Sequence, residues 1–395
     1  MSYGARAANY ASECFSWWWL GTSEEELNRA AGELLAFADL PARCTIERNL
    51  VDVGDGNYLN ELELVYEGDS SSAAAASAAE DEPPLVLLHG YGASAAHWYR
   101  SIGPVARSCE AKSRKVIALD WLGCGRSSRP AWPLPSPSVA RRALAKGDDH
   151  VGTADAEAFF VESLEAWRKA KGHEQMCLAG HSLGGYLIVA YAERFPERVS
   201  RLILVSPVGV PHAPSDAERS ARFDRIVAGR PFWQRPLLRL AASLSTRIWE
   251  SGISPQQVMR GMGGWLGRKC ITGYAWKRFP SCSAAERTAI GNYMYHSSAA
   301  AGSGEYALAH LLRPGAYAYA PLADRLPTIA QSRIAVDFVY GEDGVDWMNG
   351  THADKLIASG QLPSSTRVLR VVGAGHQLII DDPTAFAKAL DSINP

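Results

Sequence analysis

Short apolar runs recur along this chain, and helical patterns separate several of them. Residues 154–172 are amphipathic and end in Lys-Gly, and residues 183–196 end at a proline, as helices commonly do. An earlier segment, YLNELELVYEG from residue 58, alternates in polarity like a half-buried strand. Apolar strands that alternate with helices predict an α/β fold, with a mostly parallel sheet covered by helices on both faces. The runs are LVLLH at 85, VIALD at 116, QMCLAG at 175, RLILVS at 201, AVDFVYG at 335 and RVLRVV at 367.

The segment from about 211 to 330 interrupts this alternation. It is rich in Trp, Arg, Pro and Gly, has mostly helical patterns, and lies between two predicted strands. Because α/β proteins bind ligands at the carboxyl edge of the sheet, this insertion predicts a helical cap over that edge. Residues 70–84, SSSAAAASAAEDEPP, are small and acidic, so we expect a disordered loop there. The predicted divisions are a Trp-rich N-terminal segment with an amphipathic helix (1–43), a core in two parts (44–210 and 331–395) and the cap (211–330).

Composition limits the classes of function. With 395 residues, 47% of them hydrophobic, the chain can bury a large core, and its net charge of -2 gives no reason to expect nucleic acid as a partner. Seven cysteines without metal-binding or redox spacing predict reduced thiols in an intracellular protein that needs no metal or cofactor. No apolar run is long enough to span a bilayer and the N-terminus lacks a secretory signal pattern, so we expect a chain that is neither membrane-spanning nor secreted. A mitochondrial presequence stays open, because MSYGARAANYAS contains an arginine and no acidic residue.

One serine lies in a glycine-flanked motif. Gly180, His181, Ser182, Leu183 and Gly184 form G-x-S-x-G after a predicted strand and before a predicted helix. The motif makes a strained strand-to-helix turn, in which the two glycines give room for close backbone approach and the serine hydroxyl is exposed. The start of the helix adds unpaired backbone N–H groups and a positive dipole end. The motif in this context predicts a nucleophilic serine.

A serine needs a base, and the base is oriented by a carboxylate. In chains with this turn the order is serine, then acid, then histidine. His376 follows the last predicted strand and is the predicted base. His310 lies in the cap-like segment and His352 in a polar stretch, so we interpret both as ordinary structural histidines.

The acid is expected after the strand at 335. The segment GEDGVDWMNG offers Glu342, Asp343 and Asp346, and spacing alone does not separate Asp346 from Asp343. HGYG at 89–92 follows the first central strand, where a second oxyanion donor is expected. His89 and Gly90 support this loop, and the predicted donors are the backbone N–H groups of Tyr91 and Leu183.

Seven segments resemble the α/β-hydrolase-domain-containing 4/5 subfamily. That group includes lysophospholipases, the lipid-droplet co-activator of triacylglycerol lipase, and mitochondrial cardiolipin deacylases. The resemblance covers most of residues 15–393 except the alanine-rich insert, and it implies an α/β-hydrolase fold. The segments are LVLLHGYGAS, VIALDWLGCGRSSRP, ESLEAWRKA, LAGHSLGGYL, PERVSRLILVSP, GSGEYAL and GAGHQLIIDDP.

The resemblance refines the site. DWMNG is similar to the acid-bearing loop of some relatives, which favours Asp346 over Asp343. The animal co-activator has asparagine where this chain has Ser182, so hydrolysis is chemically possible here. The run at 302–322 is similar to the cardiolipin-deacylase branch. The subfamily's H-x4-D acyltransferase signature is present as His376 and Asp381.

Asp381 and the neighbouring Asp382 also fit a structural role. Asp382 followed by Pro383 is typical of a helix N-cap, and Asp381 also suits the N-terminal end of that helix. We interpret Asp381 in this way, and expect transfer to an alcohol acceptor to use the same acyl-Ser182.

Three consecutive tryptophans indicate contact with lipid. Trp17, Trp18 and Trp19 cannot all face one core, and tryptophan favours the headgroup layer of membranes. The alternative is a cluster packed under the sheet edge. FWQRPLLRL at 232–240 mixes aromatic, basic and leucine residues, and is either a contact for anionic lipid or an ordinary amphipathic cap helix.

The leading hypothesis is a serine hydrolase that deacylates glycerophospholipids or lysophospholipids, with cardiolipin among the candidate substrates. We expect it inside the cell, bound peripherally to a membrane or lipid-droplet surface. The mitochondrial membrane is one of the candidate surfaces. The alternatives are a lysophosphatidic acid acyltransferase using the same site, a non-catalytic co-activator of another lipase, and a soluble esterase or peptidase. Ser182 argues against the co-activator, because a scaffold does not need it. Epoxide hydrolases are disfavoured, since they carry aspartate at that position.

Overall fold

The computed structural model describes residues 19–66, 82–110, 114–136 and 152–393. Of the predicted insert, only residues 82–84 fall within these ranges, so its predicted disorder lies outside the described residues. No helix in the described ranges is long and apolar enough to cross a membrane.

The described strands form one large sheet and a short hairpin. The large sheet has the order β1-β2-β4-β3-β5-β6-β9-β10, and β7 pairs with β8. β2 pairs antiparallel with β1 and β4, and the remaining neighbours in the large sheet are parallel. The strands are β1 (Cys44–Gly54), β2 (Asn57–Tyr66), β3 (Leu85–Leu88), β4 (Val116–Leu119), β5 (Met176–His181), β6 (Val199–Val205), β7 (Leu312–Arg313), β8 (Tyr317–Ala318), β9 (Ala335–Gly341) and β10 (Val368–Val371).

Helices cover the sheet and fill most of the chain between β6 and β9. In chain order they are α1 (Glu24–Leu35), α2 (Tyr99–Glu110), α3 (Thr153–Ala170), α4 (Leu183–Arg194), α5 (Asp216–Ala228), α6 (Arg235–Glu250), α7 (Pro255–Gly261), α8 (Gly263–Arg278), α9 (Ala284–Ala299), α10 (Leu308–Leu311), α11 (Leu322–Gln331), α12 (Thr351–Ala358), α13 (Leu378–Asp381) and α14 (Pro383–Ile393). The predicted cap segment is thus mostly helical, while its standing as a separate domain stays a prediction.

The predicted fold class is confirmed. The six apolar runs form β3, β4, β5, β6, β9 and β10, and the alternating segment forms β2. The sequence analysis missed β1, an edge strand that pairs on one side only and has mostly exposed or half-buried residues. Such a strand lacks the apolar run by which the central strands are recognised.

The core has two layers because each strand has two faces. Val86 and Leu88 of β3 belong to one buried cluster, while Leu85 and Leu87 belong to another. Alternate residues of a strand point to opposite faces, so this division shows that both faces of the sheet are covered.

The amphipathic helix α1 packs into the second of these clusters. The Ser23 hydroxyl accepts the Glu26 N–H at 3.1 Å and caps the helix. Leu27 and Leu34 are buried along one face. The apolar face of α1 therefore covers the protein's own core.

Candidate active site

The predicted site residues lie at one edge of the sheet. Ser182 follows β5, the HGYG loop follows β3, Asp346 follows β9 and His376 follows β10. These four strands are parallel, so their carboxyl ends meet at the same edge.

Ser182 lies at a turn that its glycine neighbours make possible. Its φ is 55° and its ψ is -116°, a left-handed conformation that is strained for serine. A Cβ at Gly180 would lie 2.5 Å from the Gly184 carbonyl oxygen, and one at Gly184 would lie 2.6 Å from the His89 carbonyl oxygen. Larger residues at either position would force the backbones apart, so the G-x-S-x-G motif is a packing requirement of this turn.

A chain of hydrogen bonds joins Ser182, His376 and Asp346. His376 Nε2 lies 3.1 Å from Ser182 Oγ, and His376 Nδ1 lies 3.2 Å from Asp346 Oδ1. Because a carboxylate only accepts, Nδ1–H donates to Asp346, and Nε2 is left to accept from the serine hydroxyl. All three residues are buried, with 8%, 7% and 4% exposure in this order along the chain of bonds. The arrangement can remove the proton of Ser182 during attack on a carbonyl carbon.

The acidic loop after β9 contributes Asp346, and not Asp343, to this chain of bonds. Asp343 is exposed and accepts the Arg370 Nε–H at 2.7 Å. Glu342 accepts the backbone N–H of Gly373 at 2.7 Å. Both carboxylates thus belong to loop contacts.

Asp346 is held by several donors. Ser206 Oγ–H donates to its Oδ2 at 2.5 Å, and the Gly341 and Met348 N–H groups donate at 3.1 and 2.9 Å. Burial acts to raise the pKa of Asp346, but the bond and charge of His376, together with Ser206 and Met348, outweigh it and lower that pKa. The carboxylate is therefore ionised and fixed toward His376.

Ser206 was missed by the sequence analysis. It is fully buried at the end of β6 and has a φ of 42°. The available signal was a polar residue directly after an apolar strand, in RLILVS. That signal is weak, because the sequence near Ser206 does not show that β9 and its acidic loop lie next to β6.

The HGYG loop lies against Ser182. A Cβ on Gly90 would lie 2.8 Å from the Ser182 Cβ. His89 is buried, its Nδ1 lies 2.8 Å from the Gly90 carbonyl oxygen, and its Nε2 accepts the Trp121 N–H at 3.1 Å. Leu183 is the first residue of α4, so its N–H has no partner within that helix. The oxyanion roles of Leu183 and Tyr91 stay predictions.

The other histidines and the aspartate pair have separate contacts. His310 is buried with its ring 5.8 Å from that of Trp132, and His352 lies in α12. Asp382 Oδ1 accepts the Ala385 N–H at 2.9 Å and caps α14, as predicted. Asp381 also makes a contact that the sequence analysis did not predict, because its Oδ2 accepts the Gly375 N–H at 3.1 Å beside His376. Its interpretation as a residue that suits the N-terminal end of α14 stays a prediction.

The tryptophan segment is described only in part. Trp17 and Trp18 lie outside the described residues. Trp19 is 44% exposed, and its indole Nε1–H donates to the Arg260 carbonyl oxygen at 3.2 Å. Its ring lies 3.0 Å from the Cβ position of Gly263, at the corner between α7 and α8. In the described ranges no group of three or more His, Cys, Asp or Glu side chains is arranged to hold a metal ion.

The strand order, the turn at Ser182 and the strand-end site define an α/β hydrolase. The profile of the alpha/beta hydrolase fold family matches residues 83–265. A bacterial membrane phospholipase A of known structure has a TM-score of 0.53, covering 93% of this chain and 89% of its own, at 20% identity. At that identity the likeness shows the fold alone.

Relatives of similar sequence narrow the family. The human (lyso)-N-acylphosphatidylethanolamine lipase is 30% identical over 312 residues, 78% of each chain. The human 1-acylglycerol-3-phosphate O-acyltransferase ABHD5 is 29% identical over 89% of this chain and 85% of its own. The Arabidopsis thaliana 1-acylglycerol-3-phosphate O-acyltransferase is 33% identical over 78% of this chain, which spans only 65% of that relative. This chain belongs to the α/β-hydrolase family, in its 4/5 subfamily.

Proposed function

We propose that this chain is a serine hydrolase that deacylates glycerophospholipids, as a phospholipase or lysophospholipase, through an acyl-Ser182 intermediate. The observation that carries the proposal is the hydrogen-bonded chain from Asp346 through His376 to Ser182. The relatives named as a lipase of N-acylphosphatidylethanolamines and as acyltransferases of a lysophospholipid support a lipid ester as substrate.

The proposed reaction uses two acyl transfers. Ser182 Oγ attacks the ester carbonyl carbon while His376 Nε2 takes the hydroxyl proton, and Asp346 stabilises the imidazolium. The backbone N–H groups of Tyr91 and Leu183 bind the oxyanion. The ester C–O bond then breaks as His376 protonates the leaving alcohol. Water attacks the acyl-Ser182 in the same way, and the fatty acid leaves with Ser182 restored.

The acyltransferase is the second candidate function. It is supported by the Arabidopsis relative, which is named as an acyltransferase of 1-acylglycerol-3-phosphate. In this chain the acceptor hydroxyl would replace water in the second step, so both activities would use Ser182. The acyl-Ser182 is common to both candidates, and the acceptor decides between them.

We propose that helix α6 docks the protein on anionic lipid. Each of its residues has some exposure, and Leu237, Leu240, Leu244 and Ile248 follow one another at helical spacing. Phe232 and Trp233, just before α6, are 80% and 64% exposed. Arg235 and Arg247 of α6 add positive charge. Exposed apolar residues beside arginines fit the boundary between acyl chains and anionic headgroups.

The predicted contact of the tryptophan segment is part of the same proposal. Trp19 reaches α8, where Trp265 is 73% exposed and Met262, just before that helix, is 41% exposed. A lipid-droplet or mitochondrial surface, and cardiolipin as substrate, remain candidates implied by the resemblance to the subfamily.

Lipid mass spectrometry tests the activity. Wild type and Ser182→Ala are incubated with liposomes of cardiolipin, phosphatidylcholine, phosphatidylethanolamine and triacylglycerol, with and without lysophosphatidic acid. Wild type and a control, Ser359→Ala in a surface turn, should release lysolipid and fatty acid, and Ser182→Ala should not. Label transferred to lysophosphatidic acid would indicate the acyltransferase. Deacylation by Ser182→Ala, or none by wild type, would overturn the proposal and leave the co-activator or a soluble esterase.

A further inference from the structure

Two side chains outside the proposed triad hold the backbone around His376. His181 Nε2 lies 2.7 Å from the His376 carbonyl oxygen. On the preceding residue, the Gly375 N–H donates to Asp381 Oδ2 at 3.1 Å. The loop that carries His376 is thus hydrogen-bonded on one side to the turn at Ser182 and on the other side to the end of α13.

His181 is the residue directly before Ser182, and it is buried. Burial is the main cause that lowers the pKa of His181 to about 3, and repulsion from His376 is the second cause. The ring is therefore neutral at ordinary pH. Since its Nε2 faces a carbonyl oxygen, that nitrogen must carry the proton and donate it. The rings of His181 and His376 lie 4.9 Å apart. A shift of the nucleophile turn would therefore move the backbone of the base.

Asp381 acts at the other end of the same loop. Asp381 is half-buried, and burial raises its pKa, while the hydrogen bond from Gly375 acts in the opposite direction. The neighbouring Asp382 already caps α14. The short helix α13 turns the chain back, so that a residue five positions after His376 reaches the N–H just before it. The H-x4-D spacing is thus explained by a backbone contact within one loop.

We propose that His181 and Asp381 are positioning residues that fix His376 relative to Ser182, and that Asp381 is not part of a separate acyltransferase centre. This inference rests on the proposed function of Ser182 and His376. Loss of either contact lets the His376 backbone move, and a misplacement of about 1 Å lowers turnover about 100-fold in enzymes. Both acceptors, water and a lysolipid hydroxyl, then lose rate together.

The experiment compares Asp381→Ala with Asp381→Asn and His181→Gln, using Asp382→Ala as the control. Asn keeps an oxygen acceptor for the Gly375 N–H, and Gln keeps an N–H donor for the His376 carbonyl. Each folded variant is assayed for the rate of fluorophosphonate labelling of Ser182, for kcat and KM on a soluble ester, and for acyl transfer to lysophosphatidic acid. Thermal unfolding is measured in parallel.

We expect Asp381→Ala to lose about 10- to 100-fold in labelling rate and kcat with KM unchanged, and hydrolysis and transfer to fall in proportion. Asp381→Asn and His181→Gln should stay near wild type, while Asp382→Ala lowers the unfolding temperature but not kcat. The inference is overturned if Asp381→Ala keeps wild-type labelling, or if Asp381→Asn loses transfer alone. Labelling needs no lipid, so a wild type that is labelled yet deacylates no phospholipid refutes the proposed substrate and leaves this comparison valid. A wild type without labelling overturns both proposals.

Discussion

The strand-end site and helix α6, in the predicted cap segment, are built in opposite ways. At the site, Ser182, His376 and Asp346 are each less than a tenth exposed, and their side chains are joined by hydrogen bonds. On α6 no residue is buried, and Leu237 and Leu240 are each 65% exposed. Polar groups are thus enclosed in the one region, while apolar groups face outward in the other.

This contrast in burial suggests a different role for each region. The strand ends and the glycines around Ser182 fix the backbone of the site. The positions of its side chains are therefore largely determined by the backbone. Helix α6 has no fully buried residue, and its main contact with the core is Trp249, whose indole N–H donates to the Leu312 carbonyl oxygen at 2.9 Å. In the proposed function, the sheet edge carries out the reaction and the exposed face of α6 binds the lipid surface at which the reaction takes place. The following predictions test that division.

The largest effect is expected at the base. His376→Gln removes the proton acceptor of Ser182, and loss of a triad base lowers turnover by about 10⁶-fold. Fluorophosphonate labelling and ester hydrolysis should fall together, while His352→Gln in α12 stays near wild type. An active, folded His376→Gln would show that the enclosed region is not the reaction centre.

The acid gives the next largest effect. Asp346→Asn keeps the shape but loses the charge that selects the His376 tautomer, a change that lowers kcat about 10⁴-fold in a serine protease. Asp343→Asn, in the same loop, should lose only its contact with Arg370 and keep activity. Steady-state kinetics on a soluble ester measures both, and equal losses would contradict the geometric choice of Asp346.

The cap variants should change binding and not chemistry. Leu237→Ser combined with Leu240→Ser removes apolar surface that lipid would cover, and we expect vesicle affinity to fall about 10- to 100-fold. Leu50→Ser, on the edge strand β1, is the matched control with 50% exposure. Sedimentation with anionic vesicles measures affinity, and hydrolysis of a soluble ester should be unchanged. Wild-type vesicle affinity in the double variant would show that α6 does not dock the protein on lipid.

Ser206→Ala should have a moderate effect. The hydrogen bond of Ser206 to the charged Asp346 is worth about 1.5 kcal/mol, which corresponds to about tenfold in kcat. Asp346 keeps the Gly341 and Met348 N–H donors, so some of its orientation survives. A loss as large as that of Asp346→Asn would mean that Ser206 takes part directly in the reaction.

The smallest effect concerns the pH dependence of stability. Burial lowers the pKa of His97 to about 3, whereas the unfolded chain protonates this residue near pH 6.5. The folded pKa is depressed, so stability is full above pH 6.5 and is lost as the pH falls. Between pH 8 and 6 the free energy of unfolding should drop by about 0.8 kcal/mol for this residue. Denaturant unfolding of His97→Asn should show that much less pH dependence, and an unchanged slope would contradict the assignment.

The sequence predicted what local patterns encode. Apolar runs identified β3 to β6, β9 and β10, and alternation in polarity identified β2. The G-x-S-x-G motif and chain order selected Ser182 and His376, and the family resemblance favoured Asp346. The structure brings these three side chains within hydrogen-bonding distance. The catalytic roles of those residues stay predictions. β1 was missed because an exposed edge strand has no apolar run. The contacts of Ser206 and Asp381 were missed because they depend on which loops lie side by side, and that is decided by packing of the whole sheet.

The central claim is that Ser182 is an activated nucleophile. The most direct test is to treat the folded protein with a fluorophosphonate and locate the adduct by peptide mass spectrometry. We predict a single adduct on Ser182 in wild type and almost none in His376→Gln. A folded wild type that stays unlabelled, or that carries the adduct on another residue, would contradict the account.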